Sequence, residues 1–286
     1  MKLCRFIAPG TSTPVVGLTL DDLRVMDLSA AGVSRLTDLL DVADLPAHLL
    51  TLSGGALRSW PLVEVRLLAP VEQQEVWAAG VTYLRSKKAR MEESDFSATA
   101  YDRVYEAPRP EIFFKALGAK VVPTGEAVGI RTDAKWNVPE PELALVLNRR
   151  GQLVGYAVGN DMSSRDIEGE NLLYLPQAKV YDRSCAMGPF ITVGVTEATA
   201  RSWSIRVSIS RAGTQVFAGE TQVSQIKRSF DELIGWLNRS QTFPDGAVLF
   251  TGTGVVPAND FTLAADDRVE IGISGIGVLQ NFVAVV

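Results

Sequence analysis

The stretch NVPEPELALVLN, residues 137–148, sets two acids one residue apart at the mouth of an apolar run, each beside a proline. From Leu143 onward the run has the composition and length of a buried strand. Alternate side chains of a strand share a face, so Glu140 and Glu142 would point the same way, their Cα atoms about 6.5–7 Å apart. Two ionised carboxylates that close repel, and both become harder to ionise unless positive charge sits between them. Pro139 and Pro141 remove ladder donors, which suits an edge or a bulge where a strand opens toward a site. The next apolar run, LVGYAVGND (153–161), also ends in an acid, Asp161. Strand end beside strand end, the two segments could bring three carboxylates together. An all-oxygen set favours a hard cation, Mg²⁺ or Mn²⁺, over zinc, for which the chain has no Cys/His cluster. The same acids also read as solvated edge charges with Asp161 in a turn, and the pattern alone leaves both open.

Working outward, short runs rich in Val, Ile and Phe recur between Gly, Pro, Asn and Asp turns: EIFFKAL (111–117), GPFITVGV (188–195), SIRVSISRAG (204–213), GAVLFTGT (246–253) and RVEIGISGIGVLQNFVAVV (268–286). Such spacing predicts a large, mostly β domain over 71–286. One helix interrupts it. In SFDELIGWLNRS (229–240), Phe230, Leu233, Ile234 and Leu237 follow helical spacing, and Ser229 with Glu232 matches a capping box. Residues 1–70 predict a small α/β module, with strands at VVGLTL (15–20) and LRVMDL (23–28), a helix over 33–43, and loop beyond it. The fold class is therefore mainly β, α+β.

The 286 residues carry a net charge of −5, which argues against nucleic acid or an anionic membrane surface as the main partner. Cys4 and Cys185 have no metal or redox spacing, and no run approaches membrane-spanning length. A cytoplasmic protein is the expectation.

Glu140-Pro141-Glu142, then GNDMSSRD (159–166), AKVYDRSCAMGPF (178–190), TGTGVV (251–256) and the closing VEIGISGIGVLQNFV together resemble the fumarylacetoacetate hydrolase family, over about residues 75–286. The resemblance implies a mixed β-sandwich roll, commonly a homodimer or dimer-based oligomer. It also implies Mg²⁺ or Mn²⁺ held by Glu140, Glu142 and Asp161. Within the family, GVTYLRSKKAR (80–90), RPEIFFKA (109–116) and EGENLLYLPQAKVYDRSC (168–185) are most similar to 2-keto-3-deoxy-D-arabinonate dehydratases.

Many hydrolases of the family carry Asn-Tyr-x-x-His near the domain start. The corresponding stretch here is Thr82-Tyr83-Leu84-Arg85-Ser86, so serine stands where a water-activating histidine would be. The one histidine, His48, lies in the N-terminal module, where a packing role is expected. Dehydration of a 2-keto-3-deoxy sugar acid needs no attacking water, only a metal-stabilised enolate with one base and one acid. The resemblance makes Lys179 the active-site lysine; Glu111 is the candidate for a second proton-transfer group. Thr253, Tyr83, Arg85 and Lys115 are the candidate substrate contacts, Lys115 pairing with an acid or with the substrate carboxylate. Arg165 is expected to brace the metal loop, Gly252 and Gly254 to let backbone amides approach an anion, and 85–108 to form a lid. The alternatives are acylpyruvate-type C–C hydrolysis, oxo-acid decarboxylation or isomerisation on the same metal, and a non-catalytic ligand-binding relative.

Overall fold

The structure, a computed structural model, describes residues 1–84 and 103–286. Its strands are β1 (Lys2–Ile7), β2 (Pro14–Thr19), β3 (Arg24–Asp27), β4 (Ser59–Pro61), β5 (Arg66–Leu68), β6 (Glu75–Gly80), β7 (Glu111–Leu117), β8 (Ala127–Ile130) and β9 (Asn137–Val138). There follow β10 (Pro141–Leu147), β11 (Leu153–Asp161), β12 (Ser163–Ser164), β13 (Cys185–Thr192), β14 (Ser204–Arg211), β15 (Thr214–Gln222), β16 (Ala247–Thr253), β17 (Arg268–Ile273) and β18 (Gly277–Val285).

Every residue of β10, β13 and β16 is buried, as expected for continuous apolar runs covered on both faces. Alternation sorts their side chains between two cores. Leu143, Leu145 and Leu147 enter one, with Tyr156, Val158 and Leu249. Ala144 and Val146 enter the other, with Ala157, Val248 and Phe250. The sheet they build runs β4-β3-β2-β1-β13-β11-β10-β16-β6-β7, with β5 on β1. One face packs on a second sheet, β15-β14-β17-β18-β8. The other face is covered by Leu36, Leu39, Leu40, Leu45 and Leu49 of the N-terminal helices. The mixed, mainly β architecture of the sequence expectation is present, and the N-terminal strands continue the large sheet through β1 on β13.

Three local expectations change. The first helix is confined to Leu36–Leu40, and a second, Leu45–Ser53, replaces the expected loop, capped by the Asp44 carboxylate accepting from the Ala47 amide. β10 is not an edge strand, since β11 and β16 flank it; the bulge expected as the alternative lies opposite β16, between Glu142 and Ala144. In the helix Phe230–Leu237, Ser229 caps the Glu232 amide, but the Glu232 carboxylate turns to Arg228 and leaves the capping box half made.

Gly159 of β11 lies under the ring of Phe250, where an added Cβ would come within 2.7 Å of the ring carbons. Gly159→Ala is expected to destabilise the fold by about 1–3 kcal/mol through overpacking. Gly235→Ala, in the helix interior with open space around it, is expected to stabilise by about 0.5–1 kcal/mol. Urea denaturation of both variants reads the contrast, and a stable Gly159→Ala would contradict the packing described.

Candidate metal centre and active site

Five strand ends meet at one rim of the large sheet. β10 runs antiparallel to both β11 and β16, β16 is parallel to β6, and β6 is antiparallel to β7. The starts of β10 and β7 therefore lie beside the ends of β11, β16 and β6. That rim gathers Glu140, Glu142, Asp161, Thr253, Gly80 and Glu111 around one small cavity.

Glu140 sits just outside β10 and Glu142 just inside it, yet each offers an oxygen that, with one from Asp161, lies within 4.8 Å of the others. The Asp161 amide donates to the Glu140 carbonyl (3.0 Å), and the Glu140 amide to the Asn160 side chain (3.2 Å), which locks the two strand ends together. All three acids are almost fully buried. Burial, then the neighbouring charges of Asp161 and Glu140, holds Glu142 well above the usual carboxylate range, against the pull of Lys179 and the Gly252 amide. Three buried oxygen donors around about 10 Å³ of free space, one of them reluctant to ionise without a cation, fit a hard divalent ion.

The segment after β11 supplies the cations. Lys179, at the end of the helix Leu175–Lys179, donates to Glu140 (2.6 Å), Asp161 (3.1 Å) and the Ser163 hydroxyl (2.6 Å). Arg165, at the start of the helix Arg165–Glu170, donates to the other Glu140 oxygen (2.8 Å), the bracing role expected of it. Lys115 comes from β7, pairs with Asp161, and donates to the carbonyls of Met162 (2.9 Å) and Lys179. It is fully buried with those contacts and does not line the cavity. Of its two expected roles, the structure gives it the partner acid and not the substrate-facing position.

The other expected residues sort as follows. Glu111 lines the cavity, its carboxylate lying over Gly80, where any side chain would collide with it. Thr253 lines it too, its hydroxyl exchanging contacts with the Val255 backbone. Tyr83 is buried against Gly254, behind the cavity wall, where burial raises its phenol strongly. Gly252, at φ 88°, does approach an anion, but that anion is the protein's own Glu142, which accepts its amide. Arg85, Ser86 and most of the expected lid lie outside the described residues. Ser163 and Glu168 were not anticipated. Glu168 is buried, lines the cavity, and stands three residues after Arg165 on one helix face.

Comparison with known proteins gives this geometry its setting. The model of the fumarylacetoacetate hydrolase C-terminal region matches residues 75–284. The chain belongs to the fumarylacetoacetate hydrolase family. It is 48% identical over 224 residues to a probable 2-keto-3-deoxyxylonate dehydratase of Haloferax volcanii, covering 78% of this chain and 77% of the relative. It is 41% identical over 226 residues to the 2-dehydro-3-deoxy-D-arabinonate dehydratase of Saccharolobus solfataricus, covering 78% and 76%. A solved structure of 2-keto-3-deoxy-D-arabinonate dehydratase complexed with magnesium and 2,5-dioxopentanoate aligns with a TM-score of 0.82 at 34% identity, over 100% of this chain and 99% of that one.

A carboxyl whose pKa is raised in the fold favours the folded state most at low pH. That contribution is lost as pH climbs from the ordinary carboxylate value through the raised one. A divalent ion replaces the proton, so ion binding must tighten over the same window. The rise in thermal midpoint produced by a fixed Mg²⁺ concentration is expected to be larger at about pH 8 than at about pH 6. Equal shifts at the two pH values would contradict a Glu142 that must give up a proton to the ion.

Proposed function

We propose that the chain is a divalent-metal-dependent hydro-lyase that removes water from a 2-keto-3-deoxy sugar acid. The observation that carries this is the buried Glu140, Glu142 and Asp161 set with Lys179 against it, in a chain so similar to proteins named for that reaction. The magnesium and dioxopentanoate of the related structure support both the ion and the kind of product.

A divalent ion held by those three acids supplies Lewis-acid stabilisation to the charge that a 2-keto acid develops on its keto oxygen when C3 is deprotonated. The rest falls to side chains. Glu111, at the wall of the cavity, accepts the C3 proton. The electron pair so released forms the C3–C4 double bond as the C4–O bond breaks. Lys179, whose Nζ lies against two carboxylates, gives the departing hydroxyl its proton, and water leaves. Transfer of a further proton from C5 to C3 yields an enol that settles as the aldehyde. Thr253, at the end of β16, orients the substrate carboxylate. C–C hydrolysis is less well served, because His48 sits on the helix Leu45–Ser53 and does not line the cavity.

Three coarser features complete the proposal. A division near residue 70 agrees with a family match that begins at residue 75. A homodimer is supported by Val278, Phe282 and Val285, large apolar side chains of β18 exposed on the single chain. A reducing, cytoplasmic setting suits Cys4 and Cys185, both free and buried, with burial pushing each thiol up to about 12.

Purified protein with Mg²⁺, offered 2-keto-3-deoxypentonates and acylpyruvates, is expected to form an aldehyde-bearing keto acid from the former. Pyruvate release from an acylpyruvate, with no aldehyde from any pentonate, would sink the proposal. Glu111→Gln and Lys179→Met are each expected to lower kcat by about 10²–10⁴-fold while the ion still binds.

A further inference from the structure

Behind the strand that carries Glu111 lies a second cavity, of about 270 Å³. Its walls include Trp77, Arg109, Trp236, Arg239, Ser240 and Gln241, and among the described residues no carboxylate lines it. Arg109 and Arg239 both stack on the indole of Trp236, their guanidinium carbons 4.5 and 3.9 Å from the ring centroid.

Several arginines of the chain are neutralised. Arg149 has Asp38 and Asp41, Arg131 has Asp133, Arg211 has Asp267, and Arg228 has Glu232. Arg109 and Arg239 differ: among the described residues their guanidiniums make no hydrogen bond or ion pair, only the ring contacts. A guanidinium flat on an aromatic ring keeps its N–H fork in its own plane, free for a planar or tetrahedral oxyanion. Two guanidiniums held on one ring concentrate positive charge at this cavity, and a bound anion offsets it. The Ser240 hydroxyl and the Gln241 amide add neutral donors to the same cavity.

We propose that this cavity binds a small organic oxyanion, a carboxylate or a phosphate, with its uncharged part against Trp77 and Trp236. The site is distinct from the metal centre but not remote from it. Alternation along β7 turns Glu111 and Phe113 to the metal cavity and Ile112 to this one. Arg109 and Ile112 flank Glu111 in the chain, so a ligand gripping both steadies the backbone from which Glu111 reaches the active site.

The test is titration of Mg²⁺-loaded protein with inorganic phosphate and, separately, with malonate, followed by calorimetry and by tryptophan fluorescence. Saturable binding of at least one anion is expected, weakened about tenfold or more in the double variant Arg109→Gln/Arg239→Gln. The fluorescence response should shrink in Trp236→Phe, leaving only what Trp77 contributes. Thermal unfolding of the free variants, unchanged from the parent, shows that lost binding is not lost folding. Saturation by phosphate alone assigns a phosphate site, by malonate alone a carboxylate site, and by both a general oxyanion site. No saturable binding of either anion, or binding of unaltered strength in the double variant, overturns the proposal.

Discussion

Three carboxylates are held within 4.8 Å of one another where water scarcely reaches them. Like charges about 4 Å apart near a protein surface repel by about 4 kcal/mol a pair. Three such pairs would rival the entire 5–15 kcal/mol or so by which a domain is folded. The cluster is tolerable only if protons, cations or both are present, and much of the surrounding architecture answers that demand. Lys115 arrives from β7, Arg165 from the start of one helix, and Lys179 from the end of the next. Each cation ties a separate stretch of chain to the same charge cluster, so the site organises its own walls. Buried ion networks contribute little net stability against an apolar core of equal volume, and this one costs conformational freedom in every segment it recruits. Its return is a fixed position for the ion and for the groups around it.

The same demand explains the strand ends. A carboxylate in mid-strand would face one core or the other, among leucines. At the rim, β10 and β11 present Glu142 and Asp161 just as both cores run out, and the bulge between Glu142 and Ala144 frees the Glu142 side chain from strict register. The Gly252 amide then finds that carboxylate, because a glycine at φ 88° lets the end of β16 pass close to Thr82 and the Ala79 carbonyl.

How much of this was legible depends on whether the signal was local. Glu140, Glu142 and Asp161 stood out because acids interrupt runs that are otherwise wholly apolar, and strand ends are where such acids can meet. The helix Phe230–Leu237 was legible because four core residues and a cap lie within nine positions. The helix Leu45–Ser53 escaped because only Leu45 and Leu49 are fully buried, Leu50 points outward, and Pro46 reads as a breaker when it in fact opens the helix. Ser163 and Glu168 escaped for a different reason. Both lie in a polar stretch that reads as a turn, and their value comes from where Lys179 and the cavity fall, which only the pairing of distant strands decides. Lys115 was half legible: a lysine behind two phenylalanines needs an anion, but its sequence position cannot say whether that anion is a ligand or Asp161.

A tally of formal charge ties the site to its chemistry. Ionised, Glu140, Glu142 and Asp161 are matched by Lys115, Arg165 and Lys179, and Glu168 in the cavity wall adds one further acid. Glu111, ionised in the same wall, is a second, so a divalent ion would leave the neighbourhood neutral. A bound 2-keto acid adds the charge of its carboxylate, and a second negative charge, on the keto oxygen, appears only as C3 gives up its proton. If Glu111 takes that proton, its own charge disappears as the oxygen's appears, so the total within the cavity is conserved through the step. A buried site with little water to reorganise favours a reaction that moves charge inside it over one that must import it. Hydrolysis would need an activated water and a base to hold its proton, and no histidine stands in this cavity. Dehydration needs only the groups already gathered there, and it expels water from the cavity where hydrolysis would have to admit it.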